Sequence, residues 1–381
     1  MQPIERVQAA FAKAPTDRVP IHHIGFSSEI ASVLLGREAY VGGGIQRWRE
    51  VKALWQGPDA HAEFIERSFQ DAIAIARLTD QDILRPDYWR YHVRPTKKLD
   101  ENTYLFGQGA EENWRVLRYD PESEQAIIAD YVPRAATTLE ELERQVAAQE
   151  KGVRDYAPSA EDFATPIRAQ QLYSRQYVVR VGAGAVGIPT ENLWLEAAAL
   201  RPDLVERHLD IQAERAARQI PFLARQGFRY IWGGGDFAGN DGPMYSPRVF
   251  HNLVLPRLRR IVEMCHQAGV QYLFASDGNL WSVADDLFGR SGVDGYFEID
   301  LLAGMELRRL RERFLNMTLV GNISSHTVHR STRAEVIAQT RACLEEAKQL
   351  RGVIVGVSNY FVPGTPVGNV EAVLETIREH R

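Results

Sequence analysis

Five times between Gly227 and Thr365 the chain runs through the same order of residues: a glycine, a short apolar run, a polar residue, then an amphipathic stretch with helical spacing. The apolar runs are Phe228 to Trp232, Val270 to Ala275, Val293 to Phe297, Met317 to Val320 and Val353 to Val357. Their polar ends are Asp236, Asp277, Glu298, Asn322 and Ser358. Strands buried on both faces read as continuous apolar runs, whereas half-buried strands alternate. Further strands are predicted at Val19 to Ile24, Asp82 to Tyr88 and Tyr177 to Val181. The pattern predicts an α/β protein, a (β/α)8 barrel whose chemistry sits at the C-terminal strand tips.

Between residues 91 and 129 the texture changes to short alternating pieces, Thr103 to Phe106 and Trp114 to Tyr119, separated by turn residues. These predict a β-hairpin insertion over the mouth of the barrel. No linker interrupts the rest, so residues 1–381 are expected to form one domain. Glycines 227, 269, 292 and 352 stand where each helix must close before the next strand. Glycine supplies the left-handed residue such a closure uses.

Composition narrows the function. With 45 basic and 50 acidic residues the net charge is −5, and no Lys/Arg block stands out, which argues against a nucleic-acid partner. No run approaches the roughly 18 apolar residues that cross a membrane. The first residues lack an apolar signal segment and only Cys265 and Cys343 are present, so a cytoplasmic enzyme without disulfides is expected.

The leading chemical candidates are Asp236, Asp277 and Glu298 at consecutive strand tips. Adjacent strands lie about 4.8 Å apart, so these carboxyls can share one small volume. Like charges that close raise at least one pKa and keep a proton donor near neutral pH. His22 and His23 end the first strand, and only one of them can face the interior. Arg85, within the charged and aromatic stretch Asp82 to Arg90 that also holds Tyr88 and Trp89, suits a carboxylate clamp. Gly182 to Gly187 matches G-x-G-x-x-G, but Pro189 delays the helix that a dinucleotide site requires. Cys265 reads as packing and not as a nucleophile.

Several segments together resemble the uroporphyrinogen decarboxylase family, which includes methyltransferases that serve corrinoid proteins. They are Arg18-Val19-Pro20-Ile21, Gly242 to Pro247, Ser276 to Asn279, Gly321-Asn322-Ile323 and Thr365 to Val370. The resemblance implies a (β/α)8 barrel, commonly a homodimer, with a deep cleft at the strand tips. Where the decarboxylases carry an arginine-rich loop, this chain has His22 to Glu29. Their pyrrole-binding aspartate corresponds to Asp87, with Asp82 as a rival, and their late histidine falls at Ser358. The thiol-methylating branch holds zinc with a histidine and two cysteines; the corresponding stretches, Phe274 to Asp277 and Val357 to Asn359, contain no thiol. No metal is therefore assigned.

The resulting expectation is a methyltransferase-like enzyme acting on a small nitrogen-containing or tetrapyrrole-like ligand. Asp236, Asp277 and Glu298 move protons, Asn279 and Asn322 orient the ligand, and Arg85 clamps a carboxylate. His22, His23, Tyr88, Ser358 and Tyr360 are further ligand contacts. No cofactor is assigned; the resemblance implies a corrinoid supplied by a partner protein if methyl transfer is the reaction. One alternative is decarboxylation of a pyrrole acetate, with Asp87 as the catalytic residue that stabilises the protonated ring. The other is a ligand-binding barrel without turnover.

Overall fold

The structure, a computed structural model, describes residues 1–88, 90–107, 113–132 and 134–381. Trp89 lies outside them. The chain is α/β: helices alternate with short strands that pair mostly in parallel. In chain order the strands are β1 (Gly25–Phe26), β2 (Ile83–Leu84), β3 (Lys97–Lys98), β4 (Thr103–Phe106), β5 (Trp114–Asp120) and β6 (Gln125–Val132). Next come β7 (Val178–Val179), β8 (Gly182–Ala185), β9 (Tyr230–Gly234), β10 (Ala238–Gly239), β11 (Gly242–Pro243) and β12 (Gln271–Ala275). The last four are β13 (Gly295–Phe297), β14 (Thr318–Val320), β15 (Val353–Ile354) and β16 (Tyr360–Phe361).

A six-stranded parallel sheet runs β8-β9-β12-β13-β14-β15, so the repeating apolar runs read from the sequence lie side by side in chain order. β2 pairs with β7, and β1 with β16. Single backbone bonds add to these ladders: Asp82 donates to Ile21, Arg180 to Leu84, Trp232 to Val181, and His22 to Val355.

One apolar cluster collects Ile24, Ile83, Val178, Tyr230, Trp232, Leu273, Phe297, Val320 and Ile354. Val7, Ala10 and Phe11 of the first helix, Pro3–Phe11, join it. The alternate residues Tyr272, Phe274, Tyr296 and Leu319 face a second cluster shared with the surrounding helices. Two-sided burial is why the strands lack polar alternation. All four junction glycines adopt positive φ, between 60° and 91°.

Two boundaries differ from the sequence expectation. The first strand was placed at Val19–Ile24, yet Ile21 makes only a bridge to Val355 and the regular pairing begins at Gly25. Side chains take over the intervening ladder: Gln81 Oε1 accepts from the His23 amide at 3.0 Å, and His23 Nδ1 accepts from the Val357 amide at 3.2 Å. The insertion forms an antiparallel sheet, β3-β4-β5-β6, that continues to Val132 and so passes the expected end at 129. Its inner face packs Tyr104, Phe106, Leu117, Tyr119 and Ala126 against Ile45 and Val51 of the helix Gly44–Gln56. Glu124 reaches from its last turn to the amides of Ser28 and Glu29. Among the described residues, no helix is long and apolar enough to cross a membrane.

Candidate functional site

The segments after β9, β12 and β13 carry Asp236, Asp277 and Glu298, and ligand oxygens of the three lie within 4.8 Å of one another. Asp236 follows three glycines, accepts the Asp277 amide at 3.2 Å and is exposed, so the cluster is reachable from solvent. Asn359, just before β16, donates Nδ2 to Asp277 Oδ2 at 2.8 Å. Glu298 has φ of +67° without being glycine. That conformation costs about 1–3 kcal/mol and persists only where its surroundings hold it, which is frequent at functional sites.

Burial pushes the Asp277 carboxyl up to about 8, helped by Glu298, Asp236 and Asp300 and opposed by the Asn359 hydrogen bond. Burial also pushes Glu298 up to about 7, with Asp236 adding to the rise while Arg180 and Arg85 oppose it. Near neutral pH the cluster thus offers a proton donor beside a group that can accept one. Three carboxylates could equally hold a hard divalent cation. They do not reproduce a histidine and thiolate zinc set, although Asp277 and Asn359, from the two stretches compared with that set, do meet.

The raised carboxyls make stability depend on pH with a definite sign. Unfolded, both groups release protons near pH 4, at about their ordinary values. Folded, they keep them to about 7 and about 8. The folded state binds the extra protons, so this contribution is complete below about pH 4 and lost as pH rises through the folded values. Urea melts in EDTA should show wild type losing stability against the double variant Asp277→Asn/Glu298→Gln as pH is raised from about 5 to about 9. A difference that does not change with pH contradicts the raised values.

The other predicted residues divide into two groups. Arg85 follows β2, with Nη1 donating to the Ile24 carbonyl at 2.6 Å and its guanidinium 4.6 Å from the Tyr88 ring centre. Asp87 is raised by burial and lies in the field of Arg85, Arg90 and Arg180. His22 is buried with Nδ1 3.2 Å from Gln81 Oε1, which makes Nδ1 the protonated nitrogen and leaves Nε2 without a partner. Burial and the charges of Arg180 and Arg85 hold it neutral.

The second group points elsewhere. His23 packs its ring against Phe26 and Phe361, and burial drops it to about 3. Asn322 donates to the Met305 carbonyl at 3.3 Å and meets Cys343, and Asn279 Oδ1 caps the Trp281 amide at 3.1 Å. Ser358 is buried with its amide bonded to Ile323, and Tyr360 covers Gly25. Asp82 is tied to Arg6 and Arg381. Cys265 is buried and pushed up to about 12, as packing requires.

A cavity of about 910 Å³ begins at Asp236 and Glu298, passes Arg180, Trp232 and Phe297, and continues to Tyr156, His208 and Arg215. β8 and the glycines of β9 form its wall, and their small residues leave the passage open. None of the described insertion residues lines it; the insertion reaches the segment after β1 through Glu124. Sequence reading missed Arg180, Trp232 and Asn359. An arginine two residues after Val178 within a buried run was the available signal for the first.

The sequence profile described as uroporphyrinogen decarboxylase (URO-D) matches residues 190–380, half of the chain. The chain belongs to the uroporphyrinogen decarboxylase family. Among solved structures, a methyltransferase from Methanosarcina mazei is similar with a TM-score of 0.62 at 18% identity, covering 100% of this chain and 99% of that one. At that identity the likeness speaks for the fold. A sugar phosphate isomerase/epimerase from Anabaena variabilis reaches a TM-score of 0.33 at 13% identity over 64% of this chain and 83% of its own. The D-psicose 3-epimerase from Clostridium cellulolyticum reaches 0.32 at 12% identity over 62% and 92%. Neither is close enough in shape to bear on this member of the uroporphyrinogen decarboxylase family. No curated protein matches its sequence.

Proposed function

We propose that this uroporphyrinogen decarboxylase-family chain is a methyltransferase-like enzyme that works by acid and base chemistry on a small nitrogen-containing or tetrapyrrole-like ligand. The observation that carries this reading is the meeting of Asp236, Asp277 and Glu298 within 4.8 Å, with two of them raised toward neutrality. The frame is read as a closed (β/α)8 barrel of one domain. In support, Val355 exchanges backbone hydrogen bonds with Pro20 and His22, on either side of Ile21, while the Ile21 carbonyl accepts from Asp82, beyond the six-stranded sheet.

In this reading a ligand nitrogen rests against the carboxyl cluster. While cationic it is held by ionised Glu298 and exposed Asp236. When a methyl group leaves, the nitrogen keeps the bonding pair and Asp277 supplies the proton. A corrinoid carried by a partner protein would supply the methyl-accepting chemistry. Asn359 fixes the Asp277 carboxyl so that its proton meets the nitrogen.

A second reading rests on Asp87, a carboxyl raised by burial near Arg85 and Arg180. It makes the reaction a decarboxylation of a pyrrole acetate, with Asp87 facing the protonated ring. One experiment separates the two. Purified protein is incubated with cob(I)alamin and methylated amines, with methylcobalamin and free amines, and in parallel with uroporphyrinogen. Methyl exchange read from the cobalamin spectrum supports the first, and release of CO2 supports the second. Binding without either reaction identifies a barrel without turnover and overturns both.

A further inference from the structure

Two arginines of the site, Arg85 and Arg180, have carboxyls in their field but no close ion pair among the described residues. Ile83 pairs with Val178 and Leu84 with Val179, so Arg85 and Arg180 stand at the next level of the same ladder. Ile83 and Val178 both belong to the interior cluster. Side chains two residues on point the same way, so both arginines face inward, on strands about 4.8 Å apart.

Arg180 lies over the Phe297 ring, 4.8 Å from its centre, and its Nη1 is buried without a hydrogen-bond partner. Arg85 spends Nη1 and Nε on the carbonyls of Ile24 and Asp87. Among the described residues neither arginine forms an ion pair within 4 Å, although most other buried guanidiniums near carboxylates do. Trp232, 3% exposed and lining the cavity with Arg180, also has an indole Nε1–H without an acceptor. Unmatched donors of this kind, beside two like charges, call for a planar two-oxygen acceptor.

We propose that Arg85 and Arg180, with Trp232 as an additional donor, seat the carboxylate of the substrate, and that the substrate is a small zwitterion whose cationic nitrogen lies against Asp236, Asp277 and Glu298. This rests on the acid-cluster reading above and adds the substrate class to it. Arg180 and Trp232 line the same cavity as Asp236 and Glu298, which places the two seats next to each other and fits a carboxylate a few bonds from the nitrogen. The same separation disfavours a simple amine, which would leave the arginine seat empty of charge.

The test is calorimetric binding with three probes: trimethylglycine, its isosteric carbon analogue 3,3-dimethylbutanoate, and tetramethylammonium, which lacks the carboxylate. Wild type should bind trimethylglycine most tightly. Arg180→Gln should weaken that binding by about tenfold or more, since a charge-assisted bidentate contact is lost. Arg180→Lys should restore part of it, and tetramethylammonium should be unaffected by either change. Should Arg180→Gln fail to fold by circular dichroism, Arg85→Gln makes the same comparison. Equal binding of trimethylglycine and tetramethylammonium, trimethylglycine affinity indifferent to the arginine variants, or no binding of any probe overturns the zwitterion assignment. Turnover lost in Asp277→Asn with the arginine result negative would leave the acid cluster intact and remove only this proposal.

Discussion

Replacing Glu298 by Gln, or Asp277 by Asn, is expected to lower kcat by about 10²–10⁴-fold, the range over which a positioned proton donor or acceptor contributes. Both changes keep side-chain volume and remove only the titrating proton. Folding should survive, because neither carboxyl forms a salt bridge among the described residues, and removing one charge relieves repulsion within the cluster. The melting temperature should therefore hold or rise while turnover falls. Asn359→Ala tests the same chemistry indirectly. It removes the 2.8 Å bond to Asp277, so the pH profile of kcat should move toward higher pH as the opposing influence on that carboxyl disappears. Full turnover in both carboxyl variants would remove proton transfer at this site from the mechanism.

The readability of this site from sequence follows from backbone geometry. A parallel strand with two buried faces must be apolar until it leaves the sheet, so Asp236, Asp277 and Glu298 stood out at the ends of their runs. Their convergence needed only neighbouring strands. Arg180 was hidden because the run Tyr177 to Val181 also reads as a strand, and nothing local says that its interior end meets Arg85 across a 95-residue interval containing the inserted sheet. Asn359 was hidden for a different reason. Its partner Asp277 comes from another strand tip, and sequence spacing carries no information on which adjacent loop folds across. The start of the first strand was misplaced because Gln81 and His23 side chains replace backbone partners there, which a period of two does not register. Asn279 and Asn322 looked like ligand contacts from their positions after strands, yet both are used by the chain itself.

Asp82→Ala should be the most destabilising single change outside the apolar core, by about 3–5 kcal/mol, the cost of breaking a buried ion pair from one side. Its carboxyl is 1% exposed and fully engaged. Oδ1 takes Arg6 Nη1 at 2.8 Å; Oδ2 takes Arg381 Nη2 at 2.7 Å and the Ile21 amide at 2.8 Å. One side chain thus ties the first helix, the last residue and the bridge residue Ile21 to the start of β2. Removal leaves two guanidiniums facing a non-polar methyl, with Arg6 falling back on Asp17 and Arg381 on Asp80. Asp80→Ala is the internal control. Its side chain is 44% exposed and its pair with the half-exposed Arg18 contributes about 0–1 kcal/mol, while Arg381 keeps its bond to Asp82. Urea midpoints of the two variants should differ clearly at an unchanged slope. Because Asp82 precedes β2 and Arg85 follows it, the folded fraction of Asp82→Ala should retain wild-type kcat. A midpoint equal to that of Asp80→Ala would show that the network adds nothing beyond surface ion pairs.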